Sequence, residues 1–321
     1  MDDLWNALYN SFNSTQSWEV NFQLLDKISS KDVKTWAPFS KEELINSIKK
    51  CNNSSAPGPG KLFWSHIKQI IKNNKCIIKL IDIANAYIDL EHWPSHFKTS
   101  TTIVIPKPNK TSYDSPKFFC SIVLLNTTGK LFKKMIGERL QFFMISNKFI
   151  YPGQLGGFKH KATMDAGIIL IYFIQSGWVK NLSTSKLAFN IAQFFTSINH
   201  QLLPLIMDKV GLDYKVLVFF KNYLVERKTK YLWNGFKSSF CNIDVSVGQG
   251  SALSPILSAL YLSPIFYTLE KQLKILKIPI SIISFVNDGL LSHRTNLFLI
   301  QMQAFFVATM LSLLFLWSLA L

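Results

Sequence analysis

The chain has 321 residues, enough for one large domain or two ordinary ones with a sizeable core. Hydrophobic residues make up 48% and charged residues 17%, which excludes a wholly disordered chain. Lys and Arg number 35 against 19 Asp and Glu, a formal charge of +16 that points to a polyanionic partner, nucleic acid ahead of a membrane surface. Residues 1–50 carry 6 basic and 7 acidic side chains, so the basic excess lies beyond residue 50. Cys51, Cys76, Cys120 and Cys241 are widely spaced and form no CxxC pair, indicating neither a disulfide framework nor a structural zinc site and suiting a reducing compartment. Met1-Asp2-Asp3 is not a basic n-region with an apolar stretch behind it, so no secretory signal is expected.

Residues 1–40 read as a short helical lead-in. Lys41 to Lys50 is a short amphipathic helix, with Ser40 as N-cap and Glu43 at the third position. The breaker run from Asn52 to Gly60 is a loop, and Leu62 to Ile88 makes two helices with a break around Asn73-Asn74. Thr101 to Ile105 is a strand stopped by Pro106, followed by the basic loop Lys107 to Lys110 and a second strand over Ile122 to Leu125. Gly129 to Asn147 reads as a helix with its Lys and Arg on an outer face, and Thr163 to Trp178 as another. Leu187 to Ile191 is a strand, and Asn199 to Leu224 alternates turn and helix. Tyr231 to Phe240 and Ile243 to Val247 look like a hairpin pair, and a helix runs from the Gly248 loop to about Leu273. Ile278 to Val286 is a strand ending in the turn Asn287-Asp288-Gly289. The fold class is α+β, and no internal repeat is visible.

Leu297 to Leu321 is 25 residues without a charge, spanning roughly 37 Å as a helix. It is a membrane-span candidate by length; a buried helix and an out-of-frame tail are the alternatives, favoured by Gln301, Gln303, Thr309 and Ser312.

Three segments could carry chemistry. Phe285-Val286-Asn287-Asp288 sits at a hairpin, where adjacent side chains can be presented to a metal; alone it reads as an ordinary turn. Leu187 to Phe195 reads as a strand leading to a turn and helix, and alone is a core strand. Val247 to Pro255 carries a Gly-Gln-Gly loop that permits close backbone approach of a ligand ahead of a helix N-terminus. His92 and His96 are four apart, but Pro94 between them breaks the helix that would pair them at a metal.

Taken in this order, and with Ala56 to Pro59, Ile105 to Lys110 and Gln154 to Phe158, these segments resemble the reverse transcriptase domain of LINE-type (non-LTR) retrotransposons over about residues 40–292. Trp64-Ser65-His66 and Trp93-Pro94 are similar to copies from filamentous fungi. The resemblance implies a right-hand polymerase with a fingers-like part at 41–186 and a palm-like part at 187–296, the thumb and endonuclease being missing. It implies Mg²⁺ as cofactor, RNA template, RNA–DNA hybrid and deoxynucleotides as partners, and a nuclear or cytoplasmic location. Membrane attachment is the lesser alternative, drawn from the apolar stretch Leu297 to Leu321 itself.

The resemblance also assigns roles and shows departures. Asn190 and Asn287 stand where the family has metal-binding Asp, leaving Asp288 as the one carboxylate of three. Cys120, followed by Ser121, stands where a phosphate-clamping Arg is expected, and Gly60 where Asp is usual. Phe195 matches the bulky side chain that excludes a 2′-hydroxyl. Gly248, Gln249 and Gly250 match the nucleotide-contacting loop, while Lys107, Lys110 and Lys159 fit a track along template phosphates or plain solvated surface charge. The expectation is an inactive or severely impaired reverse transcriptase; the alternative is a non-catalytic RNA or hybrid-binding protein. Asn190, Asn287, Cys120 and Ser121 each lie one G→A or C→T transition from the expected residue, as in a transposon copy decayed by C-to-T mutation.

Overall fold

The computed structural model describes residues 30–191, 194–243, 247–248, 250–276 and 280–295, together with 6–8, 25 and 28. In chain order its elements are α1 (Lys41–Lys49), α2 (Trp64–Ile70), α3 (Asn74–Asp89), α4 (Ser95–Lys98), β1 (Thr99–Pro106), β2 (Phe119–Leu124), α5 (Thr127–Ser146), α6 (Thr163–Trp178), β3 (Ser183–Asn190), α7 (Phe194–Ser197), α8 (Leu202–Lys209), α9 (Tyr214–Leu224), β4 (Arg227–Trp233), β5 (Phe236–Lys237), β6 (Cys241–Ile243), α10 (Ser254–Ile275), β7 (Ile280–Phe285) and β8 (Asp288–Thr295). This is the mixed α and β content expected. The chain divides into two units, one formed mainly by Ser30–Leu140 with Phe195–Ser254, the other by Gln141–Phe194 with Pro255–Leu321.

Local chemistry sets the helix starts. At α1 the Ser40 hydroxyl accepts the Glu43 N–H at 3.3 Å while the Glu43 carboxylate accepts the Ser40 N–H at 2.8 Å, a reciprocal capping box. Ser40→Ala is expected to cost about 1 kcal/mol, measurable by urea denaturation. The Asn73 side chain accepts the Lys75 N–H at 2.9 Å, which starts α3 where the sequence breaks.

The first unit holds a five-stranded mixed sheet in the order β2-β1-β4-β5, with β6 also on β4. β1 runs antiparallel to β2 and parallel to β4, with Thr99 opposite Lys228. Buried Thr102 and Thr229 share a 2.7 Å hydroxyl hydrogen bond between these two strands. An aromatic cluster anchors the helices: Trp93 meets Phe97, Phe219 and Tyr223 with ring centroids 5.2–5.9 Å apart.

The second unit holds an antiparallel sheet in the order β3-β8-β7. Its buried residues include Leu257, Leu260, Tyr261 and Phe266 of α10 with Ile282, Ile283 and Leu291 of the sheet. Arg294 stacks over Phe173 of α6 at 3.6 Å and donates to Ser176 at 2.9 Å, tying the end of β8 to that helix.

Three expectations are corrected. The strand expected over Tyr231 to Phe240 is instead broken at Asn234-Gly235, both with positive φ (46° and 82°), so β4, which already starts at Arg227, ends at Trp233 and the chain turns back as β5 and then β6. Asn-Gly is the preferred pair for such a two-residue turn. Of the second expected strand, 244–246 lie outside the described residues. Residues 30–40 of the expected helical lead-in are not helical, and Lys34 instead bridges Leu212. On α5, the outer face of Lys and Arg does not exist as such. Lys133 is 2% exposed, Lys134 donates to the Ser47 carbonyl at 2.7 Å, and Arg139 pairs with Glu43 and the Ala37 and Pro38 carbonyls. No residue of this helix from 127 to 140 is fully exposed, so Lys134 and Arg139 reach acceptors on neighbouring segments while Lys133 is buried against aromatic rings. The apolar stretch Leu297 to Leu321 lies outside the described residues; among those described, no helix is long and apolar enough to cross a membrane.

Candidate functional site

Two of the sequence-selected segments meet in the second unit. β3 and β8 pair so that Asn190 lies directly opposite Asp288, the last pair of the ladder. Both side chains are exposed at the sheet end. The Asn190 amide N–H donates to Asp288 Oδ1, and the Ile191 N–H donates to the Asn287 carbonyl at 2.8 Å. Asn190, Asn287 and Asp288 are thus gathered at one apex although the first and last are 98 residues apart.

The turn sits one residue earlier than the Asn-Asp-Gly motif suggests. Phe285 pairs with Asp288, so Val286 and Asn287 form the turn and Asp288 already belongs to β8. Val286 carries φ of 60°, an uncommon state for a β-branched residue at a place where glycine is usual. Strain of this kind concentrates at functional sites. Gly289, freed from the turn, faces Phe189 across the ladder, and its missing side chain leaves room for that ring.

The loop around Gln154 explains the register. The Ser284 N–H donates to the Gly153 carbonyl and the Leu155 N–H to the Ser284 carbonyl, both at 2.8 Å, so the loop runs as a parallel bridge beside β7. A β-carbon at Gly153 would overlap the Ile282 carbonyl, and one at Gly156 the Val286 amide. Buried Gln154 is held through Oε1 by the Ser263 hydroxyl at 2.8 Å, and the same hydroxyl accepts the Tyr151 N–H at 3.1 Å. This tie between a loop and the hairpin was not visible in the sequence beyond the density of glycines.

The first unit holds the remaining candidates except Lys159, which belongs to the second. The Val247 N–H donates to the Phe195 carbonyl at 3.1 Å, which places Phe195 beside the glycine loop. Gly248 and Gly250 have φ of 78° and 101°, and a β-carbon at Gly250 would lie 3.4 Å from the Val123 carbonyl of β2, the strand that carries Cys120. Ser254 closes the turn by reaching the Val247 and Gly248 carbonyls at 2.6 and 2.7 Å. Gln249 lies outside the described residues. Lys107 donates to the Lys117 carbonyl at 2.8 Å, while Lys110 and Lys159 are exposed.

Sequence reasoning missed a buried basic group under this loop. A β-carbon at Gly248 would stand 2.9 Å from Arg227 Nη2, and Arg227 is 5% exposed. Its guanidinium and the Lys133 ammonium lie over the Tyr223 ring at 5.8 and 5.0 Å, and Lys133 also lies 5.5 Å from Trp93. Burial pushes the Lys133 ammonium below the ordinary lysine range, and Arg227 and Lys130 add to this. For Tyr223 burial acts upward, but the two cations bring its hydroxyl below the usual value. No sequence signal marks Lys133, because a lysine on an amphipathic helix reads as solvent-facing.

The apex does not fit a pair of divalent cations. Such a pair needs several carboxylates, because two Mg²⁺ repel each other, and of Asn190, Asn287 and Asp288 only Asp288 carries a charge. Asn190 turns its N–H side toward that carboxylate, so a donor stands where a cation would need a lone pair. Among the described residues no group of three or more His, Cys, Asp or Glu could hold a metal ion, and His92 and His96 belong to none.

No protein-family model matches the chain. Among curated proteins it has distant similarity to reverse transcriptases of non-LTR retrotransposons. It is 25% identical over 224 residues to a probable RNA-directed DNA polymerase from transposon X-element of Drosophila melanogaster, covering 70% of this chain and 24% of that protein. The RNA-directed DNA polymerase from the mobile element jockey of the same species is 28% identical over 231 residues, 69% of this chain and 24% of that protein. The probable polymerase from its transposon BS is 24% identical over 226 residues, with 70% and 24% covered. The chain therefore spans about a quarter of the length of these relatives, and the similarity covers somewhat less of it than the motifs led one to expect.

Proposed function

We propose that this chain is the fingers-like (41–186) and palm-like (187–296) scaffold of a non-LTR reverse transcriptase that has lost turnover and retains a surface for RNA template or RNA–DNA hybrid. One observation carries the reading: Asn190, Asn287 and Asp288 converge at one apex of an antiparallel sheet, at the positions where the family places carboxylates. In that reading Phe195 and the Gly248–Gly250 loop line the nucleotide subsite, Cys120 marks the lost phosphate clamp, and Lys107, Lys110 and Lys159 contact template phosphates. Mg²⁺, when bound in a competent relative, supplies charge neutralisation and positioning for phosphoryl transfer. In this chain Asn190 and Asn287 contribute no charge, and loss of such groups costs a few kcal/mol each in the transition state.

Primer extension on an RNA template tests this. The chain is expected to be inactive with Mg²⁺ or Mn²⁺ while retaining hybrid binding that weakens steeply with salt. The Asn190→Asp/Asn287→Asp double variant is expected to regain extension. Turnover by the unmodified chain would overturn the reading, and so would salt-independent or absent hybrid binding.

The binding-only alternative draws on the +16 charge and the exposed Lys110 and Lys159. It predicts the same salt dependence with no extension by the double variant.

A further inference from the structure

We infer that the Asn190–Asp288 bond is a cation-independent clasp that closes the β3–β8 ladder at the hairpin apex. The inference draws on the polymerase reading only for why a cation would otherwise belong there. Directly opposed residues of an antiparallel pair hold their β-carbons about 4.5–5.5 Å apart, and like charges in that position repel. Two carboxylates at 190 and 288 would therefore push the strand ends apart unless a cation lay between them. An amide at 190 reverses the sign of the contact. Its N–H group points at Asp288 Oδ1 and satisfies the carboxylate directly. Just beyond the clasp, the Ile191 N–H reaches the Asn287 carbonyl at 2.8 Å, so the main chain stays closed through the turn. Val286 holds a left-handed φ of 60° in this same turn, a conformation that persists when its surroundings fix it. The substitution that removes a metal ligand is, on this account, also the one that keeps the apex shut without metal.

Thermal unfolding of the full chain, at constant ionic strength in EDTA and in millimolar Mg²⁺, tests the clasp. The unmodified chain is expected to melt at one temperature in both buffers. Asn190→Ala removes the donor without adding charge. It is expected to lower the midpoint by about 2–4 °C in both buffers, the scale of one net hydrogen bond in a larger domain. Asn190→Asp is expected to fall at least as far in EDTA. Hydrogen exchange at the Ile191 amide supplies a local readout that does not depend on global melting, and it is expected to quicken in both variants. A midpoint for the unmodified chain that rises with Mg²⁺, or an Asn190→Ala variant with unchanged melting and unchanged Ile191 exchange, would overturn the clasp. The Asn190→Asp arm separates the two ideas. Destabilisation rescued by Mg²⁺, as mass action requires of a newly made site, supports both. Destabilisation without rescue supports the clasp and counts against a metal-dependent ancestry of the apex.

Discussion

Gly156→Ala is expected to destabilise the second unit by on the order of 3 kcal/mol or more, and Gly153→Ala to do the same. Each glycine sits against backbone: the Ile282 carbonyl for Gly153, and the Val286 amide for Gly156 with Val286 Cγ2 at 2.7 Å. Backbone in a paired strand has little room to give, unlike the far end of a flexible side chain. Moving the loop away would sacrifice the two 2.8 Å hydrogen bonds to Ser284 and expose the Gln154–Ser263 contact. Gly167→Ala is the matched control. Nothing lies within 4 Å of that position inside α6, so the added methyl costs no space and removes the helix penalty of glycine. A gain of about 0.5–1 kcal/mol is expected there. Urea denaturation followed by hydrogen exchange at the Leu155 and Ser284 amides distinguishes the two effects. Unchanged exchange in Gly156→Ala would show that the loop does not brace the hairpin.

Several elements were legible because their signals are local. Ser40 and Glu43 mark a helix start three residues apart, and the same geometry makes them satisfy each other's backbone. Asn73 both interrupts the apolar pattern and caps the helix that follows. Thr163 to Trp178 is bounded in the sequence as in the structure, since a long apolar run flanked by polar residues fixes a helix. The apex was legible in composition but not in register. Asn-Asp-Gly is a strong turn signal, yet the turn falls on Val286-Asn287 because residues 153–157 pin β7 from a distant part of the chain. That Asn190 lies opposite Asp288 depends on a pairing 98 residues apart, which no local pattern encodes. The interior of α5 was misjudged for the opposite reason. Helical periodicity assigns a lysine to the solvent side, but Lys133 falls between Phe132 and Ile136, both 1–2% exposed.

Lys133→Met is expected to raise the stability of the chain at neutral pH, because it removes a buried ammonium whose charged form burial disfavours. Two effects oppose each other at this site. The ammonium gains attraction from the Tyr223 and Trp93 rings at 5.0 and 5.5 Å, about 2 kcal/mol or more for a desolvated cation, and from the Tyr223 hydroxyl. Against this stand several kcal/mol of desolvation and the proximity of Arg227 and Lys130, both positive. Burial is the largest of the influences on Lys133, so the penalty wins. The pH dependence has a definite sign. A lysine whose folded pKa lies below its unfolded value of 10.5 makes the unfolded chain bind more protons between the two values. Stability of the unmodified chain therefore rises with pH across that window, and the advantage of Lys133→Met shrinks toward pH 10.5. Removing the ammonium also removes one of the groups that hold the Tyr223 hydroxyl below its ordinary value, leaving burial opposed by Arg227 and Ser251 alone. Tyrosinate absorbance should then show one tyrosine titrating at higher pH in the variant. A variant less stable than the parent at neutral pH, with tyrosine titration unchanged, would mean that the aromatic cage outweighs desolvation and that Lys133 is a favourable part of this core.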